Sequence, residues 1–530
     1  MTNQASDRSP ALAIPESGIP ADNQKWFLWF LILAAGGIRC VFAIHSAANG
    51  LFDDAYVSLR YASNLVRGLG FVFNPGERVL GTTSPLNAFL LAAIAKFVGV
   101  NHLEGISVTI GTLASLGSLY YSERLIARAG ITGEVKWTYL CVLAFLPSFI
   151  VNAASGMETP LVLLLMSLSI YLAVQDRLVA VAVVGILLFL SRIDTGIWLV
   201  ALGGNLLLER RGRPQRRLAI PLVIFLGGVL SWLAFSQFYF GSIIPQSVIG
   251  KALHHGAFER ADWHYSLTFL SAFIPAQRFG VWGFAVIAIA MAALIPGTLD
   301  LWNRHRDLRP MIVFVPLFVA AFLASRAPLF SWYVIPPKWA FYLVAVYSIW
   351  WWVAHGLQVF HFRFRPAAAM TLISLCVIGL ALHSVKKLFE GAPFEPWPSI
   401  SDLIEQDLRS DGRIFLEHIG LIGFRTGRYI YDYGGLVTPQ TTKLKREYGR
   451  NWLTKALRQD KADVVILYDT DMPFVQSATD SDAIWFRDSY NHVKDYKTDE
   501  LVASVFFLKS SPRIIADQPE RARENLPNSN

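Results

Sequence analysis

The residues best suited to chemistry are two adjacent carboxylates, Asp53 and Asp54. They follow the first apolar segment and open a polar stretch, residues 53–86, after which the chain becomes apolar again. A carboxylate beside a bilayer is costly unless it is solvated or functional, and a carboxylate can accept a proton from a hydroxyl group. The pair therefore predicts an acid–base site at a membrane surface.

The carboxylates are expected to begin an amphipathic helix that lies at this surface. Its apolar face carries alanine, leucine and valine, and its polar face carries Asp53, Tyr56, Arg60, Asn64 and Arg67. One Asp alone would be explained as a helix N-cap, since Asp is a preferred capping residue. Two in succession, with Arg60 further along the same polar face, favour a site.

The elements that position this pair are membrane helices. Hydrophobic residues make up 54% of the 530 residues and charged residues only 16%, against about 25% charged in soluble proteins. Apolar blocks of about 16–22 residues suffice to cross a bilayer core. We predict a polytopic α-helical membrane protein of about eleven spans: 26–46, 105–121, 137–154, 159–175, 178–190, 195–208, 218–239, 280–298, 311–325, 339–355 and 367–384.

Basic residues set the predicted orientation. The net charge of +8 is concentrated in short loops between apolar blocks, which is a topology signal and not one for nucleic acid. The stretch 85–100 is interpreted as an interfacial or re-entrant helix, because a further crossing there would place Arg124, Arg128 and Lys136 outside. The N-terminus is then cytoplasmic and the C-terminus lies outside.

Four regions follow from this division. Residues 1–24 are expected to be a disordered cytoplasmic tail, and 25–384 a membrane domain with its main outer loop at 47–104. Residues 385–512 are expected to form a periplasmic α/β domain, and 513–530 a disordered tail. Strands are predicted at 413–420, 428–435, 462–469 and 501–509, and helices at 400–409 and 451–460. Cys40, Cys141 and Cys376 lie in or beside apolar segments and offer no disulfide framework or metal site.

The remaining unusual polar and aromatic residues all emerge on the outer face in this topology. They are Glu158, Arg192, Asp194, Gln246, Lys251, Trp332, Tyr333 and Lys338, joined by His418, Glu417 and Asp432 in the outer domain. Simpler explanations exist: a helix-dipole carboxylate at Glu158, a surface salt bridge at Arg192, a snorkelling Lys251. Convergence on one side favours a single site. His254 and His255 lack metal-ligand spacing; no metal or cofactor is implied, and a divalent-metal requirement is left open.

The run DDAYVSLRYASNLVRGLGFVFNPGERVLGTTSPL, residues 53–86, resembles the first outer loop of GT-C superfamily glycosyltransferases. The resemblance is to a bacterial branch similar to the mycobacterial terminal arabinofuranosyltransferase, and it rests on the Asp-Asp pair, the Arg-Tyr helix, the GFVFNPGERV stretch and the TSPL end. It continues in SGMETPL, SRIDTG, YFGSIIPQSVIGK and YIYDYGGLVTP, and therefore extends over residues 53–439. The stretch LEHIG, residues 416–420, departs from the usual small residue and glycine.

The resemblance implies a GT-C fold in a bacterial inner membrane and a transferase active on the periplasmic face. Its partners would be a polyprenyl-phosphate-linked sugar donor, a glycan or protein acceptor and membrane lipid, but no nucleic acid. Arabinofuranose is favoured, with mannose or another hexose as alternatives. Asp53 and Asp54 would be catalytic, and the substrate-binding residues would be Tyr56, Arg60, Glu158, Arg192, Asp194, Gln246, Lys251, Trp332, Tyr333, Lys338 and His418.

These residue types suit glycosyl transfer. A carboxylate can act as base toward the acceptor hydroxyl, or as a nucleophile if configuration is retained, and the departing phosphate needs Arg or Lys near its oxygens. A transporter or flippase predicts charges near the midplane and internal repeats, neither of which is evident. A non-catalytic scaffold would leave the Asp-Asp pair unexplained.

Overall fold

The protein is described from a computed structural model that covers residues 21–131, 133–209, 216–254, 263–359, 396–477, 479–498 and 501–515, with positions 375, 379, 382, 383, 385 and 386. The tails predicted at 1–24 and 513–530 lie almost entirely outside the described residues. Most of the predicted span 367–384 does too, together with Cys376 and His255.

The described chain before residue 360 is helical. Its α-helices are α1 (Ala21–Asn49), α2 (Asp53–Val66), α3 (Pro85–Val98), α4 (Leu103–Arg128), α5 (Gly133–Phe145), α6 (Pro147–Ala153), α7 (Thr159–Val174), α8 (Leu178–Ser191), α9 (Thr195–Glu209), α10 (Arg216–Phe240), α11 (Gln246–His254), α12 (Trp263–Ser271), α13 (Gly283–Arg304), α14 (Arg309–Ser325) and α15 (Ile335–Val359). Short 3₁₀ turns precede α4, α13 and α14.

Several of these helices have the length and apolar composition of membrane spans. Four qualify among the described residues: Gln24–Asn49, Arg217–Phe240, Gln277–Arg304 and Arg306–Ser325; the bent pair α5 and α6 would make a fifth. The count of eleven spans stays a prediction. Helix α3 has 14 residues, about 21 Å of helix, and this is shorter than the roughly 30 Å hydrocarbon core. Helices α8 and α9 are about as short and were predicted as spans, so the interfacial position of 85–100 stays a prediction.

A buried arginine stabilises the break between α5 and α6. Pro147 lacks the N–H that would bond the carbonyl of Leu143 within a continuous helix, and the two helices meet at an angle of 50°. Arg39 of α1 donates instead to the carbonyls of Leu143 at 3.0 Å and Ala144 at 2.7 Å, and to the Ser115 hydroxyl of α4 at 2.8 Å. One side chain therefore fixes three helices around the kink.

The C-terminal part is an α/β domain. Its strands are β1 (Arg413–Leu416), β2 (Tyr429–Asp432), β3 (Val464–Tyr468), β4 (Tyr490–Lys497) and β5 (Val502–Leu508), in the order β2-β1-β3-β5-β4. Strand β1 is parallel to β2 and β3, whereas β5 is antiparallel to β3 and β4. The helices are α16 (Trp397–Asp407), α17 (Ile419–Thr426), α18 (Pro439–Tyr448), α19 (Trp452–Asp460), α20 (Met472–Val475) and α21 (Ser481–Ser489).

Each of the four strands predicted from the sequence overlaps an observed strand, β1, β2, β3 or β5, and the two predicted helices overlap α16 and α19. Strand β4 was not predicted. Its sequence YNHVKDYK is largely polar, and most of its side chains are exposed. An edge strand is commonly charged, because charge discourages pairing with another chain. The charged residues also interrupt the alternation of apolar residues by which a strand is predicted from sequence.

The loop after α2 binds the edge of the β-sheet. The side-chain amide of Asn74 donates to the Ile430 carbonyl at 2.8 Å and accepts from the Ile430 N–H at 3.1 Å. Tyr429 donates its hydroxyl to Glu77 at 2.7 Å. Asn74 and Glu77 belong to the FNPGERV motif, so this motif joins the helical part to the α/β domain.

Arg60 makes the second connection between the two parts. It is 3% exposed, and its guanidinium donates to the carbonyls of Phe73 at 2.8 Å, Arg428 at 2.7 Å and, closely, Gly423. The guanidinium also lies over the Phe73 ring, 4.3 Å from its centroid. The Arg60 guanidinium thus satisfies carbonyl groups on both sides of the interface.

Replacing Arg60 with Met should loosen the α/β domain from the helical part, because three buried carbonyls lose their donor. Hydrogen bonds to charged groups contribute about 1.5–3 kcal/mol each, so we expect a lower melting temperature and faster proteolytic release of a C-terminal fragment. Thermal unfolding and limited trypsin digestion of the purified protein measure both effects.

The matched control is Arg67→Met, since Arg67 follows the same helix and is exposed. A loss of stability as large in Arg67→Met as in Arg60→Met would contradict a docking role for Arg60.

Candidate active site

Asp53 is bound to the first turn of a helix in the other domain. Its two carboxylate oxygens accept from the backbone N–H groups of Gly420 at 3.0 Å and Leu421 at 2.9 Å, which open α17. The first N–H groups of a helix have no partner within the helix, and the helix dipole favours a negative charge there. Asp53 therefore acts as a capping group from outside the helix it caps.

Two glycines permit this close approach. A Cβ added to Gly420 would lie 1.8 Å from the Asp53 carbonyl oxygen, and one added to Gly423 would lie 2.7 Å from an Arg60 nitrogen. Glycine at both positions, one turn apart on α17, brings the helix against α2. The LEHIG stretch, noted above as a departure from the family pattern, ends in the first of these glycines.

Opposing electrostatic effects act on the pKa of the Asp53 carboxyl. Burial raises the pKa of the Asp53 carboxyl, and the charge of Asp54 adds to that effect, whereas His418 and the N–H groups of Leu421 and Gly420 lower it; the net direction is upward. A carboxyl with a raised pKa holds a proton more readily.

Asp54 points to a different set of partners. Its Oδ2 lies 2.7 Å from Nζ of Lys251 on α11, and the two side chains are 27% and 17% exposed. The ammonium group lies 4.6 Å from the Phe330 ring centroid and 5.9 Å from that of Trp332. Burial alone would lower the pKa of Lys251, but the carboxylates of Asp54 and Glu158 outweigh it and raise that pKa. Lys251 is therefore a cation at neutral pH.

Arg192 lies on the other side of the aromatic residues. It makes a bidentate pair with Asp194 at 2.9 and 2.6 Å, and Glu158 lies 3.8 Å away. Its guanidinium donates to the Trp332 carbonyl at 3.2 Å and stacks on Tyr333, 4.7 Å from the centroid. Burial raises the pKa of the Glu158 carboxyl, and Arg192 offsets only part of this effect.

Seven of the predicted site residues therefore come together, here called the Lys251–Arg192 cluster: Asp54, Glu158, Arg192, Asp194, Lys251, Trp332 and Tyr333. They come from segments far apart in the sequence. Two cations, three carboxylates and two aromatic rings meet at the ends of helices. This arrangement can hold an anionic group and supply a carboxylate next to it.

Other predicted site residues have different surroundings. Tyr56 donates its hydroxyl to Glu104 at 2.6 Å, and the donors of Arg60 are directed to backbone carbonyls, as described above. The Gln246 amide donates to the Gly435 carbonyl at 3.0 Å and so links α11 to the α/β domain. Lys338 is half-buried in the first turn of α15. The His418 ring stacks on Trp397 with 4.5 Å between centroids and hydrogen-bonds the Tyr468 hydroxyl.

Three residues that matter here were not assigned a role from the sequence. Phe330 provides the ring nearest to Lys251, and its place two residues before Trp332 is the only signal for it. Asn74 lies in a quoted motif whose residues had no assigned purpose. Gly420 has no side chain, so its role cannot be predicted from side-chain chemistry. Among the described residues, no group of three or more His, Cys, Asp or Glu side chains is arranged to hold a metal ion.

Comparison with known proteins supports the resemblance seen in the sequence. The chain is 25% identical over 282 residues to the terminal β-(1→2)-arabinofuranosyltransferase of Mycobacterium tuberculosis, a match that covers 49% of this chain and 42% of the relative. The chain thus spans less than half the length of that curated relative. Residues 389–515 match a family described as a domain of unknown function, DUF8728.

A solved structure shares the fold. The crystal structure of ArnT from Cupriavidus metallidurans in the apo state superposes with a TM-score of 0.52 at 14% identity, covering 92% of this chain and 98% of that one. The oligosaccharyltransferase of Archaeoglobus fulgidus gives a TM-score of 0.49 at 11% identity, over 89% of this chain and 73% of that one. With the apolar helices, the ArnT superposition supports a GT-C fold for a multi-pass membrane protein.

The substitution Gly420→Ala should separate α17 from α2, because the new methyl group would overlap the backbone of Asp53. The cap on α17 would be lost with it, and capping changes of this kind cost about 0.5–2 kcal/mol before steric strain is added. We expect a clear fall in melting temperature, measured by thermal unfolding of the purified protein.

Gly105→Ala provides the comparison, since a Cβ at Gly105 in α4 has no neighbour within 4 Å. Alanine in place of helical glycine there should be neutral or slightly stabilising. Equal melting temperatures for the Gly420→Ala and Gly105→Ala variants would refute the close packing of α17 on Asp53.

Proposed function

We propose that the protein is a membrane glycosyltransferase of GT-C type that moves arabinofuranose from a polyprenyl-phosphate donor to a glycan or protein acceptor. The observation that carries this proposal is the ion pair of Asp54 with Lys251 beside Arg192, at 2.7 Å between Asp54 and Lys251. It supplies a base and two cations in one place. The partial identity to the arabinofuranosyltransferase supports the choice of sugar.

The reaction is a displacement at the anomeric carbon of the donor sugar. The acceptor hydroxyl gives its proton to the Asp54 carboxylate while its oxygen bonds to the anomeric carbon. The bond from that carbon to the phosphate oxygen breaks, and the electron pair leaves with the polyprenyl phosphate. Asp54 is the better base of the pair because it is not occupied by backbone N–H groups, as both oxygens of Asp53 are.

The cations serve the leaving group. Before transfer, Lys251 is paired with the Asp54 carboxylate; once Asp54 holds a proton, the Lys251 charge becomes available to the phosphate oxygens. Charge that develops on a departing phosphate is stabilised by donors already in position, and the Arg192 guanidinium, held by Asp194 and the Trp332 carbonyl, adds a positive charge beside them. Proton uptake by Asp54 and release of the phosphate are thereby linked through one lysine.

Asp53 has a positioning role in this scheme. It adjoins Asp54 at the start of α2, and its hydrogen bonds to α17 fix that turn of the chain. The aromatic rings of Phe330 and Trp332 line the side of Lys251 and offer an apolar surface to the sugar or the prenyl chain.

The proposal includes location and orientation. The protein would lie in a bacterial inner membrane with the Lys251–Arg192 cluster and the α/β domain on the periplasmic side. The basic loops between apolar segments support this orientation. A polyprenyl carrier keeps the donor sugar at that surface, where both the outer loop and the α/β domain would reach it.

Asp54→Asn should reduce sugar transfer by about 100-fold or more, because an amide cannot take the acceptor proton. The assay uses the full chain in lipid nanodiscs with polyprenyl-phosphoryl arabinofuranose and follows labelled sugar into an arabinofuranose oligosaccharide.

Lys251→Met should raise the KM for the donor, since a phosphate contact is lost.

Asp488→Asn is the control, because Asp488 is exposed on α21 in the α/β domain. Full sugar transfer by Asp54→Asn in correctly inserted protein would contradict the assignment of Asp54 as the base. Consumption of polyprenyl-phosphoryl mannose in place of the arabinofuranose donor would overturn the choice of sugar and leave the reaction class standing.

A further inference from the structure

The α/β domain presents an edge at which three parallel strands end. Strands β2, β1 and β3 are neighbours that run in the same direction, so the residues after each of them meet at one edge. Ligands of open α/β sheets bind in the crevice outside the carboxyl ends of parallel strands. The residues in question are Glu417 and His418 after β1, Tyr433 and Gly434 after β2, and Asp469 to Asp471 after β3.

Charged side chains converge at this edge. Tyr433 donates its hydroxyl to Asp471 at 2.6 Å, and a Cβ on Gly434 would lie 3.4 Å from the Glu417 side chain. Lys445 of α18 interacts electrostatically with Asp432, Glu417 and Asp471. Glu417, Lys445 and Asp471 are each half-buried, so a cation and two carboxylates border the edge.

An aromatic ring completes this group. Nζ of Lys445 lies 4.5 Å from the ring centroid of Trp452, and Trp452 is itself half-buried, with Tyr433 as a neighbour at 6.3 Å between centroids. A few convergent polar groups beside an aromatic surface are typical of a small-molecule site.

The edge adjoins the Lys251–Arg192 cluster on two sides. The α17 turn that directly follows β1 holds Asp53, which is next to Asp54. Helix α11, which carries Lys251, contacts the turn after β2: Gln246 donates to the Gly435 carbonyl at 3.0 Å, and a Cβ on Gly250 would lie 2.4 Å from that oxygen. A molecule bound at the edge would thus lie next to the base.

The chemistry at the edge fits a saccharide. Carboxylates accept hydrogen bonds from hydroxyl groups and an ammonium group donates them, while an indole face packs against the apolar face of a sugar ring. A peptide that adds a strand to a sheet needs unpaired backbone groups at its edge, and on edge strand β2 Asn74 already satisfies both of those of Ile430.

We propose that the acceptor is a glycan and that its saccharide binds at the carboxyl edge of β1, β2 and β3. Glu417, Lys445 and Asp471 would hydrogen-bond its hydroxyls, and Trp452 would stack on a ring. This inference rests on the proposed function, because it names the substrate that the transferase elongates.

Binding is tested on the full chain in nanodiscs by microscale thermophoresis, with an arabinofuranose tetrasaccharide and a serine-containing hexapeptide as probes. The tetrasaccharide should bind, and Lys445→Gln and Glu417→Gln should each weaken it about tenfold, the loss expected for one hydrogen bond to a charged group. Lys443→Gln is the matched control: Lys443 lies on the same helix and is exposed.

Unchanged saccharide binding in both edge variants would overturn the inference, and so would binding of the hexapeptide alone. Melting temperatures exclude misfolding, and Glu417→Gln carries the test if Lys445→Gln is unstable. Sugar transfer with an unchanged acceptor KM in folded edge variants would refute the subsite while leaving the transferase intact. Saccharide binding that the edge variants abolish, in a protein that transfers no sugar, would refute the transferase and support the saccharide site.

Discussion

The hydrogen bonds from the first turn of α17 to Asp53 are the interaction on which the rest of the structure depends. They connect a carboxylate at the start of α2 to a helix that directly follows β1. In a parallel α/β sheet that position commonly holds the anion of a ligand. Here the anion belongs to the chain itself, and its neighbour Asp54 is free to pair with Lys251.

This contact explains why two carboxylates occur side by side. One oxygen pair is committed to the helix of the α/β domain, and the other faces the cation and the aromatic rings. Residues on opposite sides of Asp53 reinforce the arrangement: Arg60 satisfies carbonyls of both parts, and Gly420 and Gly423 remove the side chains that would keep the helices apart. The α/β domain is thus a structural component of the site and not only a neighbour of it.

The sequence predicted site residues best where the side-chain type itself indicates a reaction or a ligand. The apolar blocks predicted the membrane helices, and seven of the outer-face candidates meet in the Lys251–Arg192 cluster. Arg60 shows the limit: its spacing from Asp53 on one helical face suggested a phosphate ligand, whereas its guanidinium is enclosed by backbone carbonyls from residues hundreds of positions away. Such partners are set by tertiary packing, which helical periodicity does not encode. The purpose of Gly420 was not predicted for the same reason, whereas strand β4 was missed because its charged sequence lacks apolar alternation.

The Asn74 side chain has a consequence for the solubility of the α/β domain. Its amide copies the donor and acceptor pattern of a neighbouring strand and so occupies part of the β2 edge. Unpaired strand edges promote self-association. At the opposite edge, the charged side chains of β4 discourage pairing, whereas the β2 edge is partly covered by Asn74 from the membrane part. A domain cut away from that part would expose a pairing surface, so attachment to the membrane helices also protects the sheet from aggregation.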